Sequence, residues 1–208
     1  MNWRKLCLPA ALATLTMLGA CTSSQVTLDY QPNPGQMVKG APNMAVGVFT
    51  NSRREGAFQL GTVRTPIGAP LENVVTRTPV EQIVANGFTH ALSQRGMLAS
   101  ARRAKYVITG DVQELYCQMI VHPYGYARIR VNVVSATSGQ IIFSRVYAGE
   151  RQSAAYRPGS GSPVPLLRDL TSRALQDAVD RACDDPELRG RLRGAGTVSG
   201  GPPPARYY

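Results

Sequence analysis

Residues 78–96 read TPVEQIVANGFTHALSQRG, a helix-patterned stretch set between segments patterned for strands. Val80, Ile83, Val84, Phe88, Ala91 and Leu92 recur at helical spacing and fall on one stripe. A helix with one apolar stripe must bury it against a second layer, so this chain needs a sheet beneath it. The ends are marked as well. Thr78 is placed to cap, Pro79 suits the first position, Glu81 completes a capping box, and Gly96 is a natural stop. Gly87 interrupts the stripe at a cost of about 1 kcal/mol against alanine, which predicts close packing on the sheet.

The flanking segments supply that sheet. Met44–Phe49 is a short apolar run that reads as a buried strand, and residues 58–64 and 73–76 pair as a hairpin around PIGAP. Residues 105–117 form a long strand, with Gly110 marking a bend or bulge. HPYGY, residues 122–126, has turn chemistry. Residues 128–134 alternate polar and apolar, Ser138-Gly139 turns the chain, and residues 140–147 return as the partner strand of an antiparallel meander. A glycine-rich loop at 157–163 leads to a second helix over about 165–183, with Leu166, Leu167, Leu170, Ala174, Leu175, Ala178, Val179, Ala182 and Cys183 on its apolar face. Strand, hairpin, helix, three strands, helix predicts an α/β two-layer sandwich: a mixed, mostly antiparallel sheet with two amphipathic helices on one face.

The start of the chain carries a different signal. Arg4 and Lys5 precede an uncharged run from Leu6 to Leu18, and small residues follow. These are the regions of a secretory signal, and roughly 13 apolar residues fall short of the roughly 20 that span a bilayer. Leu18-Gly19-Ala20-Cys21 resembles the lipobox of bacterial lipoproteins. The resemblance implies cleavage before Cys21, lipidation of its thiol and acylation of the new amino terminus. Thr22, where an aspartate goes with inner-membrane retention in that family, implies an outer-membrane location facing the periplasm. The expected organisation is a signal at 1–20, a lipidated spacer at 21–43 (in which 26–28 could pair as a short strand), a domain at 44–192 and a disordered basic tail at 193–208.

The formal charge is +10 over the chain, and loss of Arg4 and Lys5 with the signal leaves +8. The arginines are spread along the sequence. They suit either a solvated basic surface or attraction to anionic lipid and other envelope polymers; nucleic acid as a partner does not fit the compartment. Cys117 and Cys183 remain in an oxidising compartment. They are either bridged, contributing roughly 4 kcal/mol in the chain-entropy model, or two buried free thiols.

The segments ENVVTRTPVEQIVANGFTHALSQRGM, KYVITGDVQELYC and ARIRVNVVSATSGQIIFSRVYAGERQSA together resemble the YajG-type lipoproteins, bacterial envelope proteins. The resemblance covers most of residues 26–192 and rests on the order of the elements. A more distant architectural likeness is to curli-secretion lipoproteins and the N-terminal domain of TolB. Such a resemblance implies assembly with envelope machinery and names no catalytic residue.

Chemistry gives few candidates. His90 and His122 lack metal-ligand spacing to any other ligand type. No nucleophile elbow or Walker lysine is present. No cofactor, metal or catalytic activity is expected. Tyr116, Tyr124, Tyr126 and Tyr147, with Arg128 and Arg130, cluster on the meander and suit a face for a glycan or anionic partner, although strands favour tyrosine in any case. Two functions follow. One is an anchored, non-catalytic interaction module for an envelope complex or peptidoglycan. The other is a lipid- or glycan-binding accessory of a transport system, which needs an apolar or aromatic-lined cleft of about 300 Å³ or more.

Overall fold

The computed structural model describes residues 22–31, 37–157 and 159–194. Seven strands and three helices form a two-layer α/β sandwich. The strands are β1 (Thr22–Val26), β2 (Met44–Asn51), β3 (Gln59–Arg64), β4 (Pro70–Thr76), β5 (Tyr106–Met119), β6 (Pro123–Ser135) and β7 (Ile141–Gln152). The helices are α1 (Val80–Gln94), α2 (Val164–Cys183) and α3 (Pro186–Gly194). The sheet order is β1-β4-β3-β5-β6-β7, with β2 also pairing with β5.

The long strand β5 organises the sheet. One edge pairs antiparallel with β6 along its whole length. The other edge is shared: β2 runs parallel to it over Tyr106–Val112, and β3 runs parallel to it over Cys117–Met119. Arg53 bridges the gap between them. Its side chain is buried and donates to the carbonyls of Leu115, Gln59 and Gly56 and to Asn51 Oδ1. Backbone acceptors stranded between two strand ends are satisfied this way rather than left bare.

Every residue of the predicted α1 stripe is buried, as is the α2 face apart from half-buried Leu166. Gly96 ends α1 in the left-handed region (φ 67°), with Met97 N–H donating to Leu92 O and Gly96 N–H to Ser93 O, the Schellman arrangement. The other end differs from expectation. Thr78 gives no side-chain cap. Its carbonyl accepts from Thr76 Oγ1, and Val80 N–H donates to Ala57 O instead. The connection between β2 and β3 therefore does the capping, and no box forms with Glu81.

Gly87 packs on α2, not on the sheet: a Cβ there would stand 3.8 Å from Val179 and from Tyr30. Gly110 lies in register with Val131 of β6, whose irregularity with β5 falls between Val112 and Glu114. On the other edge a bulge in β2 between Val46 and Phe49 stands opposite Ile108–Gly110, as expected. The 122–126 turn is also displaced. Pro123 opens β6, and the chain reverses over Ile120–His122. Gly125 serves packing: a Cβ would come within 2.6 Å of the α2 backbone at Leu170 and Thr171, and Gly149 meets Ala174 O at 2.0 Å in the same way. These two glycines let α2 lie directly on β6 and β7.

Both ends of the domain hold more structure than the expected spacer and tail. Thr22–Val26 pairs parallel with β4, and Val26 and Leu28 are buried. At the other end, Asp185 caps α3 by accepting from Glu187 N–H at 2.8 Å and Leu188 N–H at 3.1 Å. Leu188, Arg189 and Leu192 are buried, and α3 runs on to Gly194, two residues past the expected end of the domain. Residues 1–21 and 195–208, with the predicted signal, Cys21 and most of the predicted tail, lie outside the described residues.

Candidate functional site

The helices cover one face of the sheet and leave the other open. Along β5 and β6, side chains alternate between the two faces. Tyr106, Ile108, Val112, Leu115, Cys117, Ile129, Val131 and Val133 point to the core. Tyr116 on β5 and Tyr124, Tyr126, Arg128 and Arg130 on β6 stand on the open face. Register brings the tyrosines together, because Tyr116 pairs directly with Tyr126. The three rings form a platform with centroids 5.6–6.2 Å apart, Tyr124 and Tyr126 being stacked. Arg128 donates to Tyr126 Oη at 3.0 and 2.7 Å and holds its guanidinium 5.5 Å from that ring. Glu114 stands 4.0 Å from Arg128 Nη1. Burial raises the Tyr116 and Tyr124 phenols, and nearby acids, Glu150 among them, add to this. Both stay neutral at neutral pH and remain able to donate.

Of the predicted face, the structure keeps five residues together and removes one. Arg130 is exposed two positions beyond Arg128, opposite Asp111 in the ladder. Tyr147 lies on the other face, 7% exposed, with its hydroxyl 2.6 Å from Asp185 Oδ2. Its strand parity points it under the helices, so it is a core residue and no part of the face.

The cysteine pair is likewise separated. Both thiols are free and buried. Cys117 packs at Thr171 of α2, while Cys183 closes the same helix twelve residues later. That is about 18 Å along the axis, whereas a bridge needs Cα atoms within roughly 7 Å. Burial pushes each thiol up to about 12, leaving little nucleophilic thiolate at neutral pH.

Sequence reasoning missed a second polar cluster, between the helix ends. Arg95, at the end of α1, is buried and uses its donors fully. Nε and Nη2 hold Asp184, Nη2 reaches Asp180 at 3.0 Å, and Nη1 donates to Tyr30 Oη and Ala91 O. Tyr30 donates in turn to Asp180 at 2.5 Å. Arg189 of α3 donates to Asp184, to Cys183 O and to the carbonyls of Val38 and Lys39. Burial works against the charge on Asp184, but hydrogen bonds and the Arg95 and Arg189 charges outweigh it and hold the carboxyl below its ordinary range. Its polar atoms are turned toward one another, so the cluster ties the N-terminal segment to three helix ends. The one visible signal for α3 was Asp185-Pro186-Glu187, a capping residue followed by proline and an acid.

Clefts are small or charged. One of about 240 Å³ lies between α1 and the N-terminal segment, lined by Val26, Leu28, Tyr30, Ile83 and His90 among others. A larger hollow of about 600 Å³ runs beside α2 and is lined by Arg151, Arg173, Asp177, Asp180 and Arg181. Neither is the apolar cleft of 300 Å³ that a buried lipid would need. Among the described residues no group of three or more His, Cys, Asp or Glu converges as a metal site.

No family model and no curated protein matches the sequence. Among solved structures, the fold matches a Xanthomonas campestris protein of the DUF330 family, with TM-score 0.60 and 15% identity over 84% of this chain and 99% of that one. Alignments also run to a PelC dodecamer from Paraburkholderia phytofirmans, with TM-score 0.38 and 13% identity over 74% of this chain and 98% of that one. A minor lipoprotein from Acinetobacter baumannii aligns with TM-score 0.40 and 8% identity over 64% of this chain and 95% of that one. At 15% identity, the first of these speaks to the fold: the same α/β sandwich serves nearly the whole of that protein.

Proposed function

We propose that this chain is an outer-membrane lipoprotein of the YajG type, anchored through Cys21 at the periplasmic face and acting as a non-catalytic interaction module of the cell envelope. The observation that carries the reading is the lipobox LGAC at the end of an apolar run. The site supports it. The buried acids and arginines are spent on one another, the thiols are protonated, and the open face offers tyrosine and arginine, residues enriched where proteins meet. An envelope protein complex is the favoured partner, with peptidoglycan or anionic lipid also suited to the basic surface.

The test is crosslinking in living cells followed by mass spectrometry, with intact chain and a Cys21→Ser control. A specific partner recovered only from the intact chain is the expected result. If neither form yields a partner, the interaction role loses its support. A second reading, glycan binding, is favoured by the stacked Tyr124–Tyr126 pair. It expects saturable binding of envelope glycan fragments that Tyr126→Ala abolishes.

A further inference from the structure

The first described residue, Thr22, is already in the sheet. It pairs with Glu72 and donates from Oγ1 to Leu71 O at 3.3 Å. Cys21 is one peptide unit away, within about 3.8 Å between Cα atoms. A lipid on Cys21 would thus leave no slack: the anchor would leave from the end of the sheet where β1 and β4 begin.

Topology places two further features at that end. The β3–β4 hairpin tip projects there, and β3 runs parallel with β5 up to Met119, which puts the β5–β6 turn beside it. Both tips are apolar and bare. Ile67 is 91% exposed, Leu71 55%, Val121 50% and Ile120 38%. Large exposed side chains grouped at the tips of two adjacent turns mark an interaction surface rather than a random residue. Tyr124 follows Val121 by three residues, about 10 Å along an extended strand. This sets the tyrosine platform one step back from the tips on the same end of the sheet.

We infer that this end of the sheet, with Ile67, Leu71, Ile120 and Val121 at its tips, seats in the lipid headgroup boundary, so that the domain stands end-on against the membrane with the platform just above it. The inference rests on the lipidation of Cys21 and adds the orientation of the domain. The occupant is a lipid surface because the anchor would issue from this end. Four apolar side chains entering only 5–10 Å suit the boundary region rather than the bilayer centre.

The one tryptophan of the chain is Trp3, within the predicted signal. A mature chain would therefore have none, and a tryptophan placed at an exposed position reports alone. Ile67→Trp, Val121→Trp and, at the far end, Ile141→Trp all change exposed residues. Strand β6, which runs between Val121 and Ile141, sets the last about 40 Å away. Each full-length variant, purified from membranes, is placed in phosphatidylethanolamine–phosphatidylglycerol vesicles containing lipid brominated near the headgroups, and the mass of its N-terminal peptide is read in parallel. The expected result is about twofold or greater quenching at positions 67 and 121 and none at 141. With the lipid mass present, no quenching at 67 and 121, or equal quenching at all three, overturns the orientation alone. Absence of the lipid mass at Cys21 overturns the anchoring reading and the orientation with it.

Discussion

Tyrosine, arginine and carboxylate meet twice in this molecule, with opposite results. Between the helix ends, Tyr30, Arg95, Asp180, Asp184 and Arg189 are turned inward. On the open sheet face, Tyr116, Tyr124, Tyr126, Arg128 and Glu114 make few bonds among themselves and face water. The Arg95 side chain is 1% exposed, that of Arg128 45%. A buried arginine must spend its donors within the protein, and doing so fixes the fold. An exposed arginine over an aromatic ring adds little stability and keeps donors for a partner. Composition therefore does not separate structural from interacting clusters; burial and bond saturation do.

The largest test of this contrast is Arg95→Ala. It leaves Asp180 with Tyr30 alone and Asp184 with Arg189 and the Val38 N–H, empties a buried site, and should cost about 3 kcal/mol, read as a lower urea midpoint. The paired change Tyr126→Ala with Arg128→Ala removes one half-buried strand aromatic and should cost only about 1 kcal/mol while abolishing partner recovery. A comparable loss of stability from both variants would erase the distinction.

Asp185 comes next. It caps α3 with Oδ1 and accepts from Arg145 and Tyr147 with Oδ2. Burial opposes its ionisation, yet the bonds from Tyr147, Leu188, Glu187 and Arg145 prevail and hold its carboxyl below the ordinary range. A lowered folded value means that the stabilisation is fully present above the unfolded value of about 3.9 and fades as pH falls through the folded one. Asp185→Ala should cost about 1–2 kcal/mol at pH 7. Its gap from the unchanged protein should narrow on titration below about pH 4, measured by urea unfolding at each pH.

The smallest effect sharpens the same point from the apolar side. Gly87 has room for a methyl group in ordinary contact with Tyr30 and Val179. Gly87→Ala should raise stability by about 0.5–1 kcal/mol, seen as a higher melting temperature. A loss would mean that the two helices lie closer than these contacts indicate.

Much of this architecture was legible beforehand because periodicity reports which face is buried. The α1 stripe, the α2 face and the alternation of β6 each matched a buried layer. Pro123 and Gly125 misled for a physical reason. Proline is acceptable at the first position of a strand, and Gly125 is required by the helix backbone above it. Neither cause is visible in local sequence. The strand β1, TSSQV, has one apolar residue and is held by backbone pairing to β4, so hydrophobic pattern gives no warning of it. The helix α3 shows no clear apolar stripe because its arginines dominate, yet Leu188, Arg189 and Leu192 turn inward. Five of the six tyrosine and arginine positions expected on the meander face do lie on the open face, but Tyr147 sits on β7 with the other parity. The Arg95 cluster joins residues up to 159 positions apart in the chain, from Tyr30 to Arg189, and only the assembled fold brings them together.

The most direct test of the central claim places a photo-crosslinking amino acid at Tyr126 on the open face and, separately, at His90 on the exposed side of α1, in cells producing the full chain. The account predicts a discrete partner adduct from position 126, dependent on Cys21, and none from position 90. Adducts from position 90 alone would move the working surface to the helices and contradict it.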